Sequence, residues 1–301
     1  MKSLLHADLS NLPSIDSLKN TIDTLNSINL KDISYSKLWL YIEKRFGSIP
    51  IAVAKLNQDH FIERGRLHKS AEDYYRCEKD ISYREDIHNI KEYGRANIPF
   101  QSMFYGGLKS PDIAYSRITV LTETSNEFRN QLKSKNPSIY STLGKWRISK
   151  DFDVLDIIFN KSQINERVDI HQSYFDRLNE LHNKHPQEAE RIEMILNFFT
   201  MHFLKSNINS HHDYKISAIY TQMALAKNPN IYGVCYPGIR SSYLGQCVAL
   251  TPFAINSFCR LEKATVVKVT RPEENYRVST IKVATELGPL CTDFQWIDSD
   301  K

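Results

Sequence analysis

The spacing of apolar residues changes along the chain, and this change constrains the fold more than any other feature of the sequence. Between residues 14 and 46 apolar residues recur at helical spacing, with Ser14 as a candidate N-cap and Gly47 at the end. Residues 265–269 and 278–284 instead alternate apolar and polar side chains, as half-buried strands do. Helices come first and the C-terminal part is rich in strands, which predicts an α+β protein.

The middle of the chain mixes both patterns. A short basic segment at 61–69 is predicted to be a strand or a strand that passes into a loop. Residues 100–107 are predicted to be a strand closed by two glycines, and 146–159 a further strand region with alternation and an apolar run. Helical spacing predicts helices that begin near residue 117, cover most of 164–204 and run through 213–226. From these patterns we predict an N-terminal helical region, 1–55, and a second domain, 56–301, with an exposed, charge-rich excursion near 70–92.

Charge and cysteine content narrow the functional class. The 39 basic residues nearly balance the 35 acidic ones, and this balance disfavours nucleic acid as the partner. We find no secretory signal and no apolar run of the about 20 residues that a membrane span needs, so no membrane association is expected. The five cysteines lack CxxC spacing, which is typical of reduced thiols and predicts a cytoplasmic protein without a zinc site.

Several common catalytic motifs are absent from the sequence. It has no GxGxxG, no P-loop and no GxSxG, so the usual phosphate-binding turns and the nucleophile elbow are missing. The HHD triplet at 211–213 is the nearest approach to a metal motif, but adjacent histidines seldom converge on one ion. We therefore predict a solvated turn there and no metal.

A small set of polar residues stands out against this background. Arg64 and Arg66 are two residues apart, so in a strand their guanidinium groups share one face and could hold a diphosphate. Arg95 and Asn97 have the same spacing and could add donors to the same wall. Surface arginines are the plainer interpretation of such pairs.

Tyr105 and Glu123 complete this set. Tyr105 stands beside two glycines, where a flat ligand could approach the backbone, although a core tyrosine is the simpler interpretation. Glu123 lies in an apolar and hydroxyl-rich run. It is either a charge at a helix N-terminus or a buried catalytic group.

The order of these segments resembles the RES domain family. The family shows an Arg-x-Arg strand, a Gly-Arg-x-Asn turn, a strand ending in Tyr, a Glu at a helix start and a Tyr-x-Ser-x-Arg segment followed by Asn-x-Ala-Leu. The matching segments here are RGR at 64–66, GRAN at 94–97, FYGG at 104–107, Glu123 after TVLT, and YPGIR at 236–240 with QCVAL at 246–250. The resemblance covers roughly residues 60–270.

The resemblance implies a fold and an activity. The fold is ADP-ribosyltransferase-like: a mixed β core with flanking helices, here with an N-terminal helical extension. The implied activity is cleavage of the nicotinamide–ribose bond of NAD, by hydrolysis or phosphorolysis, as the toxin of a toxin–antitoxin pair. NAD is then the substrate, no other cofactor is expected, and an antitoxin protein is the expected partner. The N-terminal helices are candidates for that contact or for a homodimer.

The implied roles follow residue by residue. Nicotinamide leaves NAD as a neutral molecule, so the enzyme must stabilise positive charge on the ribose, and we assign this role to Glu123. Tyr105 would stack on the nicotinamide ring, and Arg64 would hold the diphosphate. The remaining candidate substrate-binding residues are Arg66, Arg95, Asn97, Arg240, Ser241, Ser242 and Gln246.

The sequence departs from the family pattern at one serine and one asparagine. Gly238 stands where the family has serine, and Ser241 or Ser242 could replace it; Gln246 stands where the asparagine is usual. These changes leave the choice between hydrolysis and phosphorolysis open. They also leave two alternatives: an ADP-ribosyltransferase that modifies a macromolecule, or a catalytically degenerate module that binds NAD or a partner.

Overall fold

The computed structural model describes residues 4–6, 11–125, 138–157, 172–270, 277–288 and 291–299. Its strands are β1 (Leu4–His6), β2 (Ile51–Leu56), β3 (Phe61–His68), β4 (Phe104–Leu108), β5 (Ile139–Ile148), β6 (Phe152–Asp156), β7 (Ile231–Pro237), β8 (Gln246–Leu250), β9 (Cys259–Thr270), β10 (Arg277–Ala284) and β11 (Ile297–Asp298). Its α-helices are α1 (Ile15–Ser27), α2 (Tyr35–Phe46), α3 (Glu78–Ile81), α4 (Ser116–Thr124), α5 (Gln172–Lys184), α6 (Pro186–Leu204), α7 (Lys215–Lys227) and α8 (Pro252–Phe258). The predicted α+β class is confirmed.

The chain divides into two compact units, each made of three segments. The first unit contains residues 1–56, 86–102 and 152–236, and the second contains 57–85, 103–151 and 237–301. The predicted N-terminal region, 1–55, therefore shares its unit with two later segments of the predicted second domain. Among the described residues, no helix is long and apolar enough to cross a membrane.

The first unit combines a four-stranded sheet with most of the helices. Its strand order is β1-β2-β6-β7, antiparallel except for the parallel β6–β7 pair. The helices pack through an aromatic cluster in which Phe46 contacts Phe199 and Phe199 stacks on Tyr220. The predicted caps of the first two helices are confirmed: the Ser14 hydroxyl accepts the N–H of Ser17, and Gly47 ends α2 with φ of 62°.

The second unit is built on a seven-stranded antiparallel sheet. Its strand order is β8-β4-β3-β5-β9-β10-β11. Helix α4 packs on one face of this sheet, where Val120 and Leu121 join clusters with side chains of β5 and β9. Glycines allow this close approach, because a Cβ on Gly65 would lie 3.0 Å from Val120 and one on Gly107 would lie 2.9 Å from it.

Several element boundaries differ from the sequence predictions. The 100–107 strand begins only at Phe104, and its two glycines lie inside β4 rather than ending it. The region 146–159 holds the end of β5 and all of β6, separated by a turn, and β2 was not predicted at all. The excursion at 70–92 contains α3, whose Ile81 is fully buried, so part of it belongs to the core.

Candidate functional site

Glu123 lies in the last turn of α4, at its C-terminal end. Carboxylates are favoured at the N-terminal end of a helix, where the helix dipole is positive. The interpretation of Glu123 as a charge at a helix N-terminus is therefore wrong. Its Oε1 accepts the backbone N–H of Arg240 at 2.7 Å. The carboxylate is half-buried, and this bond fixes one of its oxygens at the loop that follows β7.

That loop, residues 238–245, has an unusual backbone. The N–H of Gly238 donates to the carbonyl of Gly245, and the N–H of Tyr243 donates to that of Gly238, both at 2.8 Å. Ser242 and Tyr243 have φ of 54° and 63°, so two consecutive non-glycine residues are left-handed. Such a conformation costs on the order of 1–2 kcal/mol per residue and is common at functional sites.

Gly238, the position at which the RES domain pattern has serine, has no room for a side chain. A Cβ there would lie 2.4 Å from the Oγ of Ser241 and 3.2 Å from the Oε1 of Glu123. The Ser241 hydroxyl donates to the carbonyl of Gly238 at 3.0 Å and accepts the N–H of Gly245 at 3.1 Å. Ser241 therefore fills the space that a side chain at 238 would need, whereas Ser242 is exposed.

Thr119 is a site residue that the sequence analysis missed. It is fully buried, and its Oγ1 has no hydrogen-bond partner among the residues that the structure describes. A Cβ on Gly245 would lie 2.4 Å from this oxygen, so the hydroxyl faces the loop. Because Thr119 and Glu123 are four residues apart in one helix, helical spacing could have identified it.

The side chain of Arg64 is held by three carbonyl groups of its own unit. Its Nη1 donates to Tyr105 at 2.7 Å, and its Nε lies 3.1 Å and 3.2 Å from the carbonyl oxygens of Ile81 and Ser82. The guanidinium also lies over the Phe104 ring. Burial, and then Arg66, lower the pKa of Arg64 to about 9, so it stays charged at neutral pH.

Arg66 shares a partner with Arg64. Its Nη2 donates to the carbonyl of Ser82 at 2.9 Å, and its guanidinium faces the Tyr75 ring. The predicted common face of the two arginines is confirmed by this shared carbonyl. In the structure the pair binds the end of α3, part of the segment that was predicted to be an exposed excursion.

Side chains alternate between the two faces of the sheet along β3 and β4, and this places Arg64 and Arg66 on the opposite face from Tyr105 and Glu123. Gly65 and Gly107 face α4, so Tyr105, two residues from Gly107, directs its Cβ to the same face. Arg64 and Arg66 direct theirs to the opposite face. Tyr105 and Glu123 thus lie on the α4 side of the sheet, and Arg64 donates to the backbone carbonyl of Tyr105.

The pairing between β3 and β4 is short. Their ladder has only two pairs, Ile62–Leu108 and Glu63–Gly107, whereas β4 pairs with β8 along its whole length. Beyond the second pair, the side chain of Arg64 supplies the bond to the Tyr105 carbonyl. Gln246 begins β8 opposite Leu108, and Arg240 is exposed, with its backbone N–H bound to Glu123.

Arg95 and Asn97 belong to the first unit, whereas the other predicted site residues belong to the second. The buried Arg95 donates from Nη1 to the carbonyl of Phe203 and from Nη2 to that of Lys205 at 3.1 Å, which caps the C-terminal end of α6. The amide of Asn97 donates to the carbonyls of Glu92 and Ile98 within its own turn. In the structure the GRAN tetrad therefore supports a turn and a helix end.

Comparison with known proteins adds no family. No protein-family model matches the chain, and no curated protein matches it. Within the described ranges, no group of three or more histidine, cysteine, aspartate or glutamate side chains is arranged to hold a metal ion. The functional argument therefore depends on the loop at 238–245 and on Glu123.

Proposed function

We propose that the chain cleaves the nicotinamide–ribose bond of NAD, as its resemblance to the RES domain family implies, and that its fold is related to the ADP-ribosyltransferases. One observation carries the proposal: the carboxylate of Glu123 is fixed by the N–H of Arg240 at a strained, glycine-flanked loop. A fixed carboxylate suits this reaction, because the ribose develops positive charge as neutral nicotinamide leaves.

The proposed binding region lies where the β3–β4 ladder ends. Glu123 lies on the α4 side of the sheet, and the guanidinium groups of Arg64 and Arg66 lie on the other side, so an extended dinucleotide would have to reach both sides at this point. Tyr105 lies just beyond the last β3–β4 pair, where its carbonyl accepts from Arg64. In this arrangement the diphosphate meets the Arg64 and Arg66 face while the ribose meets Glu123.

Ser241 takes the place of the family serine in this proposal. Its Oγ lies where a side chain at 238 would lie, next to the Glu123 carboxylate. Because this hydroxyl already bonds the loop backbone, its role is to hold the loop rather than to attack the substrate. Water or inorganic phosphate is then the acceptor, and with water the expected product is free ADP-ribose.

The test is nicotinamide release from NAD by the purified full-length chain. Glu123→Gln keeps an oxygen that can accept the N–H of Arg240 but removes the charge, so we expect the rate to fall about 100- to 1,000-fold. Glu72→Gln, at an exposed glutamate of the same unit, is the matched control and should leave the rate unchanged. Equal rates for Glu123→Gln and the unmodified protein would remove Glu123 from the mechanism.

The cellular proposal is a cytoplasmic toxin that an antitoxin protein neutralises. Its expected signature is growth arrest on expression together with a fall in cellular NAD. The same expression of Glu123→Gln should permit growth. Arrest by the Glu123→Gln variant would separate toxicity from NAD cleavage and contradict this part of the proposal.

A binding module without turnover is the second candidate. Glycine at 238, where the family pattern has serine, favours it, because a group expected at the site is missing. Calorimetry that detects NAD binding while no nicotinamide is released would support this candidate. Transfer of ADP-ribose to a macromolecule predicts a third result: label from NAD appears on protein or nucleic acid instead of as free ADP-ribose.

A further inference from the structure

A cavity of about 350 Å³ lies in the first unit, independent of the proposed NAD site. Its walls are the end of α1 with the loop that follows it, the last turn of α6, and the residues around the turn at His211–Tyr214. Its volume lies at the lower end of the range for small-molecule sites, about 300–1,000 Å³. A metabolite of modest size would therefore fit.

One part of the cavity wall is apolar. Leu25, Ile28, Leu30 and Met201 line it, and Leu25 is almost completely buried. Met201 is half exposed, so it lies at the mouth and can be changed without disturbing the core. An apolar wall of this size favours a ligand with a hydrocarbon or aromatic body.

The polar part of the wall carries an excess of positive charge. Lys31 and Lys205 are the lining lysines, and Asp213 is the lining carboxylate. Asp213 is already used, because it pairs with Lys205 at 2.9 Å and accepts the N–H groups of Asn209 and Ser210. In the described part of the chain, the ammonium group of Lys31 makes no ion pair.

Two lining histidines add neutral donors. The Nδ1 atoms of His202 and His212 are buried and have no hydrogen-bond partner among the described residues, and a neutral imidazole ring carries one N–H donor. Burial, and then Lys205, lower the pKa of His202 to about 4, although Asp213 opposes the shift. The pKa of His212 is also lowered, first by burial and then by neighbouring His211 and lysines.

Buried contacts hold the walls of the cavity in place. Lys215, which is almost fully buried, donates to the carbonyls of Leu30 at 2.6 Å and Ile33 at 2.7 Å, and so fixes the loop after α1. Arg95 fixes the end of α6 through Phe203 and Lys205. Such a preformed site binds without the entropic cost of ordering its walls.

We propose that this cavity binds a small organic oxyanion, a phosphate or carboxylate that carries an apolar group. The oxyanion lies at Lys31 and Lys205 and accepts from ring N–H groups of His202 and His212. The apolar group lies against Leu30 and Met201.

The test is calorimetric titration of the full chain with phenyl phosphate, which combines both parts of the proposed ligand. Inorganic phosphate and benzyl alcohol serve as the anionic and apolar halves and should each bind at least about tenfold more weakly. Benzoate distinguishes a carboxylate from a phosphate, and binding of either one supports the class. Raising the salt concentration should weaken phenyl phosphate binding.

Variants locate the site. Lys31→Glu reverses an exposed charge at the cavity and should weaken phenyl phosphate binding about tenfold or more. Lys19→Glu makes the same change at an exposed position of α1 that does not line the cavity. It should change the affinity for phenyl phosphate by less than about twofold. Met201→Trp should fill the mouth and reduce binding independently of charge.

The proposal fails if neither phenyl phosphate nor benzoate binds at millimolar concentration. It also fails if Lys31→Glu and Lys19→Glu weaken binding equally, or if benzyl alcohol binds as tightly as phenyl phosphate. None of these measurements involves NAD, so a failure of this proposal leaves the proposed NAD cleavage standing. A failure of the NAD assay likewise leaves this proposal standing.

Discussion

Substitution of Gly238 by alanine tests the packing of the loop at 238–245. Gly238 does not have a left-handed φ, so its backbone can accept alanine and only space opposes the change. The new Cβ would lie 2.4 Å from the Oγ of Ser241, a separation that forces this hydroxyl to move. Movement breaks its bonds to Gly238 and Gly245, and a buried group left without its bond costs about 1–3 kcal/mol. We expect Gly238→Ala to lower the free energy of unfolding by about 2–4 kcal/mol.

A double-mutant cycle separates this cause from a general defect. Ser241→Ala removes the obstructing oxygen and both of its bonds, so Gly238→Ala should cost less than about 1 kcal/mol in that background. The remaining close contacts, at 3.2 Å to Glu123 and 3.3 Å to Thr119, account for this residual cost. The coupling between the two positions should therefore be about 1–3 kcal/mol.

Urea unfolding followed by fluorescence and circular dichroism gives the four free energies of the cycle. Ser242→Ala is the matched control, because it changes the exposed neighbouring serine of the same loop and should not couple to Gly238→Ala. If Gly238→Ala lowers the free energy of unfolding by the same amount with and without Ser241→Ala, to within about 0.5 kcal/mol, the steric argument is refuted. The claim that Ser241 occupies the space of the family serine would then be wrong as well.

Two further predictions concern the first unit. The pKa of His202 is lowered to about 4, so between pH 6.5 and 4 the folded state binds fewer protons than the unfolded state. The free energy of unfolding should therefore fall by up to about 3 kcal/mol as the pH drops through this window. In unfolding titrations at several pH values, His202→Gln should flatten this dependence. A variant that keeps the full acid sensitivity would contradict the assignment. Arg95→Gln should lower the free energy of unfolding by about 2–4 kcal/mol, because the carbonyls of Phe203 and Lys205 lose their donor. If this substitution instead raises the KM for NAD without affecting stability, Arg95 binds substrate and does not act as a helix cap.

Local patterns predicted much of the secondary structure correctly. The helices α1 and α2, strand β3 and the C-terminal strands follow from apolar spacing, and the caps at Ser14 and Gly47 follow from residue type. One of the errors has a clear physical origin. Gly106 and Gly107 suggested a strand end, but they lie within β4, where Gly107 lets α4 approach the sheet.

The candidate site was only partly accessible to sequence reasoning. Spacing by two correctly placed Arg64 and Arg66 on one face, and the resemblance singled out Glu123 and Ser241 together with the position of Gly238. Thr119 was missed because its significance depends on the loop that packs against it. The contribution of each residue to NAD cleavage stays a prediction until nicotinamide release is measured.

The sequence by itself determined most of the helices and several of the strands, because these choices depend largely on neighbours within one or two turns of the chain. Only the tertiary structure decided what the polar residues contact. It directed Arg95 to the end of α6, Arg64 to the carbonyls of Ile81 and Tyr105, and Glu123 to the N–H of Arg240, 117 residues away in the sequence. A long polar side chain takes whichever partner folding brings within about 3 Å, and its neighbours in sequence do not reveal that partner.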